Sequence, residues 1–199
     1  RVTFMEALVR AMGEAGPVVE QFAEHVLPKM LEHFALRPAK GGSEERYKAL
    51  PDQSMFSHVL NGILPALRVL QLAQETPAQG ESLKPVDPLK PDEESLVLLA
   101  FTLHDVDKLE GWRPEDLNSW TEERRLNAFR QAVADWAGRL NADAFWPDWS
   151  SYLNDIVWLV LNCQEAWGTD LRPGALPGKL PAARRHALRS ICTFADVSA

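Results

Sequence analysis

The sequence predicts an all-α protein of about seven helices. Apolar side chains recur every three or four residues over most of the chain, which is the spacing that places them on one face of a helix. No stretch has a convincing strand pattern of alternating apolar and polar residues. Connectors rich in proline and glycine separate the periodic segments. We therefore expect helices packed on helices around one core.

Residues 2–36 predict two helices, split at residues 13–17. The second is expected to run without a break from Val18 to Phe34, because its apolar side chains follow at four-residue spacing. A loop punctuated by proline and glycine comes next, at residues 37–51.

The following helix carries His58 in its second turn. Asp52 or Ser54 is expected to cap its N-terminus, and its apolar pattern continues to about Glu75, with Pro65 as a point of bending. Residues 76–91 form an irregular connector that holds four prolines.

Pro91 opens the next helix, with three carboxylates in its first turn at the positive end of the helix dipole. We expect this helix to continue through the apolar residues 96–103 and to end near Gly111. A helix from Thr121 to about Leu140 follows, and residues 141–149 are expected to be a connector.

Two further helices complete the expected fold. One runs from Ser150 or Ser151 to about Gly168 and is apolar nearly all round, so it should be central. The last runs from Pro181 to about Val197 and carries Asp196 near its end.

Composition limits the class of protein. The chain is 46% hydrophobic and 25% charged, which fits one domain: residues 1–49 as an N-terminal helical pair and residues 50–199 as the core. It begins without Met and stops three residues after Asp196, so we expect it to be excised from a larger multidomain subunit. No apolar run reaches transmembrane length. Cys163 and Cys192, inside apolar helical patterns, indicate reduced thiols and a cytoplasmic location, with a disulfide between them as the alternative.

Charge limits the partners. The formal net charge is −7, and a free-standing nucleic-acid binder needs a positive face. If DNA or RNA is the substrate, its affinity must come from a metal site, from local basic patches or from partner proteins.

His104 and Asp105 end the apolar run, and Lys108 follows them within one turn. Adjacent helical residues point about 100° apart, so the imidazole and the carboxylate can lean toward one ion, with Lys108 on the same side. These three groups together suit a phosphate ester held by a metal. The alternative interpretation is that His104 and Asp105 only cap a helix and that His58 is a core residue.

The arrangement His104-Asp105-x-x-Lys108 resembles the signature of the HD superfamily of metal-dependent phosphohydrolases. That family also needs one histidine well upstream and one aspartate well downstream, and the chain has His58 and Asp196 in those places. The resemblance implies that His58, His104, Asp105 and Asp196 bind a divalent metal and that Asp105 and Lys108 act in catalysis. Lys108 would stabilise charge on the phosphate oxygens.

Residues 52–62 and 103–109 look more specifically like the HD nuclease domain in the large subunit of the type I-D CRISPR effector complex. Residues 161–164, ahead of Trp167 and Gly168, fit the same family less specifically. The resemblance covers most of the chain from Leu50 onward. It implies a prokaryotic, metal-dependent DNase that prefers single-stranded DNA. Its partners would be the remainder of the large subunit, the other subunits of the RNA-guided complex and a helicase.

Many HD nucleases carry extra histidines that hold a second metal. Here the interval between Asp105 and Asp196 contains only His186, about 15 Å from Asp196 along a straight helix. We therefore expect one tight site and at most one weak one. Four residues are candidates for a second site or for substrate contacts: Asp107, Asn162, Gln164 and His186.

Mixed imidazole and carboxylate ligation favours Mn²⁺, Co²⁺ or Ni²⁺ over Mg²⁺, which prefers oxygen ligands but stays an alternative. Two other functions are consistent with these residues. One is a small-molecule HD phosphohydrolase acting on nucleotides. The other is a degenerate HD domain that only docks within a complex, which the presence of all four ligands argues against.

Overall fold

The computed structural model describes residues 16–39, 54–75, 89–109, 120–163 and 176–199. These contain eight α-helices: α1 (Pro17–His25), α2 (Leu27–Phe34), α3 (Met55–Glu75), α4 (Pro91–Thr102), α5 (Glu122–Arg139), α6 (Ala142–Phe145), α7 (Leu153–Cys163) and α8 (Ala182–Ser198). Two 3-10 helices accompany them, Val106–Lys108 and Trp149–Tyr152. The described ranges hold no β-strand, only an isolated bridge between Pro38 and Ser54. Seven of the α-helices have at least eight residues, so the predicted all-α fold of about seven helices is confirmed.

Helices α1 and α2 occupy the region that was predicted as one helix. The expected continuous helix from Val18 to Phe34 is interrupted at Val26, between α1 and α2. Pro28, in the first turn of α2, has no N–H for the hydrogen-bond ladder, which accounts for the break. Val26 keeps helical backbone angles, so the apolar stripe stays buried on both sides of it. The helix predicted before residue 13 lies outside the described residues.

Helix α3 begins where a serine can cap it. Ser54 Oγ accepts the N–H of Ser57 at 3.2 Å, so Ser54 caps the helix, as predicted for one of the two candidates. The other candidate, Asp52, lies outside the described residues. Pro65 lies inside the helix, also as predicted. The packing of α3 against α8 is the most extensive among the described helix pairs.

Gly62 allows this close packing. A Cβ atom at residue 62 would lie 2.6 Å from the Ala195 carbonyl oxygen and 2.5 Å from Phe101 Cζ. No side chain fits in that space. The absence of one therefore brings α3, α4 and α8 together within a turn of His58.

Helix α4 starts as predicted, but its predicted end near Gly111 is wrong. Pro91 is its first residue, and the N–H of Lys90 donates to the Glu93 carboxylate at 2.9 Å. The helix ends at Thr102, whose Oγ1 donates to the Leu98 carbonyl at 2.7 Å. After Thr102 the backbone tightens into i→i+3 hydrogen bonds, including the bond from the His104 N–H to the Phe101 carbonyl at 3.2 Å, and then into the 3-10 helix Val106–Lys108.

Helix α5 is capped by Thr121, whose hydroxyl accepts the N–H of Arg124 at 3.3 Å. Its apolar residues Phe129, Val133 and Trp136 are buried. The predicted connector at residues 141–149 instead contains the short helix α6. Asn141 has a left-handed φ of 63° and starts that turn, a conformation that asparagine tolerates better than most residues.

Helix α7 is central, as predicted. Nearly all its side chains are buried, and it packs against α4, α5 and α8. Its predicted continuation to Gly168 lies outside the described residues. Helix α8 matches the expected last helix closely. Cys163 and Cys192, on α7 and α8, are buried free thiols.

Two buried ion pairs fix the start of α8. Arg184 donates from two nitrogens to the two oxygens of Glu93, each at 2.6 Å, and ties α8 to α4. Arg185 Nε lies 3.0 Å from a carboxylate oxygen of Asp155 on α7. The Asp155 carboxylate also accepts the N–H of Lys179 at 2.7 Å, which anchors the segment ahead of α8.

None of the helices in the described ranges combines the length and the apolar character that a membrane crossing requires.

Candidate metal centre

His58 lies near the start of α3, where backbone hydrogen bonds and neighbouring core residues hold it. Its side chain is 9% exposed. The N–H of His58 donates to the Ser54 carbonyl at 3.0 Å, within the first turn. The imidazole faces His104, with the two Nε2 atoms 3.1 Å apart.

His104 is fully buried in the turn after α4. Its Nδ1 lies 2.6 Å from the Phe101 carbonyl oxygen, which can only accept, so Nδ1 carries the proton. The ring stacks on the Phe101 ring, with centroids 4.5 Å apart and planes 6° from parallel. These two contacts fix the tautomer and the ring plane, and they leave the Nε2 lone pair directed at His58 and the carboxylates. Such support by a backbone carbonyl is usual behind a metal-binding histidine.

Two carboxylates complete the cluster. Asp105 is buried, and its oxygens lie 3.7 Å from Nε2 of His58 and of His104. Asp196, near the end of α8, is one-third exposed, and its Oδ1 lies 3.3 Å from His104 Nε2 and 3.5 Å from His58 Nε2. In the described part of the chain, His58, His104 and Asp105 form a group whose donor atoms all lie within 4.8 Å of one another and could hold a metal ion.

The spacing of these atoms fits a coordination shell. Imidazole nitrogens and carboxylate oxygens bind an ion such as Zn²⁺ at about 2.0–2.2 Å, so neighbouring ligands lie about 3.0 Å apart on an octahedron and about 3.4 Å apart on a tetrahedron. The separations between the imidazole nitrogens and between each nitrogen and the carboxylates run from 3.1 to 3.7 Å. His58, His104 and Asp105 therefore suit one ion, and Asp196 Oδ1 lies beside the two imidazole nitrogens but outside that three-residue group.

The electrostatics also favour a bound cation. Burial lowers the pKa of His104, but the Asp196 and Asp105 carboxylates outweigh burial and raise it above its ordinary value. Hydrogen bonds with His104 and then His58 hold the pKa of Asp196 well below its usual range. Two Nε2 lone pairs 3.1 Å apart repel each other unless a proton or a metal ion lies between them. The cluster is therefore built to hold positive charge.

Lys108 is at the edge of the cluster, on the 3-10 helix. Its Nζ lies 2.6 Å from Asp105 Oδ2, and its side chain is 36% exposed. The ammonium group thus touches a proposed metal ligand on one side and solvent on the other. It shares the side of Asp105, as predicted, although a turn and a 3-10 helix produce this arrangement instead of one α-helix.

The other candidate residues lie elsewhere. Asp107 is half-buried in the 3-10 helix and outside the group of His58, His104 and Asp105. The Asn162 side chain donates to the Trp158 carbonyl at 2.7 Å, within α7. His186 is exposed near the start of α8, edge-on to the Trp158 ring. Gln164 lies outside the described residues.

Two residues that shape the centre were not predicted from the sequence. Phe101 holds His104 through its carbonyl and its ring, and Gly62 permits the approach of α8. Gly62 lies four residues after His58. A glycine inside a helix, one turn from a proposed ligand, was the feature of the sequence that could have indicated close helix packing there.

Comparisons with protein-family models, with curated proteins and with solved structures found no match to the chain.

Proposed function

We propose that the chain is a metal-dependent phosphodiesterase of the HD type that cleaves DNA, preferentially single-stranded, as part of a type I-D CRISPR interference complex. The observation that carries the chemistry is the convergence of His58, His104 and Asp105 at separations that suit one divalent ion, with Asp196 Oδ1 within 3.5 Å of both imidazole nitrogens. The resemblance of residues 52–62 and 103–109 to the HD nuclease domain supports the choice of DNA.

Each side chain has a distinct part in this proposal. His58 and His104 supply neutral nitrogen ligands, and Asp105 and Asp196 supply two negative charges that offset the charge of the ion. A divalent ion, of which Mn²⁺, Co²⁺ and Ni²⁺ suit mixed ligation best, supplies Lewis acidity toward a phosphate oxygen and lowers the pKa of a water molecule. Lys108, about one-third exposed beside Asp105, meets the phosphate from the solvent side and stabilises the charge that develops on its oxygens.

The test combines metal content with hydrolysis. The parent chain should bind Mn²⁺ and cleave single-stranded DNA, and Asp105→Ala should lose both while its circular dichroism stays helical. Asp105→Asn, which keeps the shape of the side chain, should fail in the same way. Asp135→Ala, which removes an exposed carboxylate from α5, should behave as the parent.

The other possible outcomes would each indicate a different function for the chain. An Asp105→Ala variant that keeps full activity would overturn the proposal. Metal-dependent hydrolysis of nucleotides without cleavage of DNA would identify a small-molecule phosphohydrolase. Tight metal binding without hydrolysis of either substrate, in the intact interference complex, would identify a docking module.

A further inference from the structure

Phe101, in the last turn of α4, contacts both the candidate metal centre and helix α3. The face of its ring stacks on the His104 imidazole, with the centroids 4.5 Å apart and the planes 6° from parallel. The edge of the same ring lies against Gly62, since a Cβ atom at residue 62 would be 2.5 Å from Phe101 Cζ and 2.7 Å from Cε1. One ring therefore joins His104 to the backbone of α3.

The position of Gly62 on α3 relates this contact to the other histidine. His58 and Gly62 are four residues apart, so they lie on the same side of α3, one turn from each other. At the first position the imidazoles of His58 and His104 face each other, with the Nε2 atoms 3.1 Å apart. At the second position the Phe101 ring meets Gly62. The separation of the two nitrogen ligands thus depends on how the Phe101 ring fits against α3.

The face of the Phe101 ring also favours positive charge on His104. A phenylalanine ring has a negative face, which attracts a cation within about 6 Å of the centroid, and most strongly where water is excluded. A divalent ion on Nε2 would make the His104 imidazole electron-poor at a distance of 4.5 Å. Phe101 and His104 are 1% and 0% exposed, so water does not weaken this attraction. An aliphatic side chain would fill the space without it.

We propose that Phe101 is a positioning residue of the candidate metal centre. Its ring holds His104 at the separation from His58 that a divalent ion requires, and the face of the ring stabilises the imidazole once it is a ligand. The side chain of Phe101 has no ligand atom, so it acts on the ion only through His104. This inference rests on the metal site of the proposed function and not on the hydrolysis of DNA.

The test compares Phe101→Met with Phe22→Met as a matched control. Phe22 is also fully buried, and its ring contacts the Phe145 ring, with centroids 5.5 Å apart. Both changes replace a core ring by a flexible apolar side chain that adapts to the space, so both should lower Tm by a similar amount. Only Phe101→Met should weaken Mn²⁺ binding, by about tenfold or more, the usual effect of losing a partner behind a metal ligand.

Titration calorimetry below the Tm of both variants measures the Mn²⁺ affinity. A second measurement follows the coordination itself, because the visible absorption bands of Co²⁺ depend on the arrangement of its ligands. At saturating Co²⁺, Phe101→Met should give bands that differ from those of the parent, and Phe22→Met should give the bands of the parent. Phe101→Leu, a second aliphatic replacement, should reproduce both effects of Phe101→Met.

The outcomes separate the role of Phe101 from the proposed function. If the parent binds Mn²⁺ and cleaves single-stranded DNA while both Phe101 variants keep its affinity and its Co²⁺ bands, the positioning role is wrong and the nuclease stands. If the Phe101 variants lose affinity but the parent cleaves no DNA, the positioning role stands and the nuclease falls. An equal loss of affinity in Phe22→Met overturns the positioning role, and a parent that binds no metal overturns both.

Discussion

His104 uses both of its ring nitrogens, and each has a different partner. Nδ1 donates to a carbonyl of its own chain three residues back, so the direction of Nε2 is set before any ligand arrives. Stacking on Phe101 prevents rotation of the ring. Because local contacts fix this side chain, little conformational entropy remains to be lost when a cation binds. His104 is thus the most rigid part of the candidate metal centre.

Lys108 is predicted to act on the substrate and not on the metal. An ammonium group has only donors and cannot ligate an ion, and its contact with Asp105 competes with a cation for the same oxygen. Lys108→Ala should therefore keep Mn²⁺ affinity within about tenfold of the parent while cleavage of single-stranded DNA slows at least tenfold. Metal titration and single-turnover cleavage at saturating Mn²⁺ measure the two effects. Cleavage by Lys108→Ala at the parent rate would contradict a role in catalysis and would leave Lys108 only as a favourable charge at a helix end.

The sequence contains the four proposed ligands in the order His58, His104-Asp105, Asp196, and the structure brings them together. It does not reveal that Phe101 supports His104, because that contact uses a backbone carbonyl, which every residue has. Nor does it reveal that Lys108 pairs with Asp105 at 2.6 Å, since the distance depends on how tightly the chain turns after Thr102. Residue types and order follow from the sequence, whereas their mutual distances depend on tertiary packing.

At the level of elements, apolar spacing predicted the long helices well, and local hydrogen bonds decided where they end. The apolar run 96–103 suggested a helix continuing through the dyad, but the N–H and Nδ1 of His104 both bind the Phe101 carbonyl, which a longer helix would pair with the N–H of Asp105. Pro28 divides the N-terminal helix although the apolar stripe continues past it. The spacing of apolar residues predicts which face of a segment is buried. It does not predict which donors bind the last backbone carbonyls of a helix, and these bonds determine where the helix ends.

Gly62→Ala tests whether helix packing sets the geometry of the metal centre. The new Cβ would lie 2.6 Å from the Ala195 carbonyl oxygen, one residue before Asp196, so α3 and α8 must separate. We expect a loss of about 1–3 kcal/mol in the free energy of unfolding, together with weaker Mn²⁺ binding. Gly138→Ala is the matched control: its Cβ would meet nothing within 4 Å, so helix propensity should stabilise it by about 1 kcal/mol. Equal behaviour of the two variants would refute this role of Gly62.

The Glu93–Arg184 pair predicts a pH dependence of stability. Hydrogen bonding to Arg184 holds the pKa of Glu93 below its ordinary value of 4.5, so the pair stabilises the fold above that pH and loses its contribution as pH falls through the lower, folded-state pKa. Arg184→Met should cost about 3 kcal/mol at pH 7, because it leaves a buried carboxylate unpaired. The difference from the parent should shrink below about pH 4.5 in urea unfolding.

The control for this prediction is Arg130→Met. In the parent, Arg130 donates to the neutral side-chain amide of Asn154 and has no carboxylate in this contact. Its effect should be small and independent of pH. A constant difference between Arg184→Met and the parent from pH 7 to pH 3 would mean that packing, and not the charge pair, is what Arg184 contributes.

At the scale of the whole molecule, the candidate metal centre joins distant parts of the chain. His58 comes from α3, His104 and Asp105 from the turn after α4, and Asp196 from α8. These residues meet only when the helices have packed, so the unfolded chain offers no comparable site. A metal that binds the native state alone must stabilise it by an amount set by its concentration and affinity.

Thermal unfolding measures this coupling without any assumption about substrate. Mn²⁺ at about one hundred times its Kd should add about 2.7 kcal/mol to the free energy of unfolding. At about 2–4 °C per kcal/mol for a chain of this size, Tm should rise by about 5–10 °C. EDTA should reverse the rise. Lys108→Ala should keep it, and Asp105→Ala should lack it. The same rise in Asp105→Ala would place the bound ion elsewhere, and no rise in the parent at any Mn²⁺ concentration would mean that these four side chains form a proton-sharing cluster only.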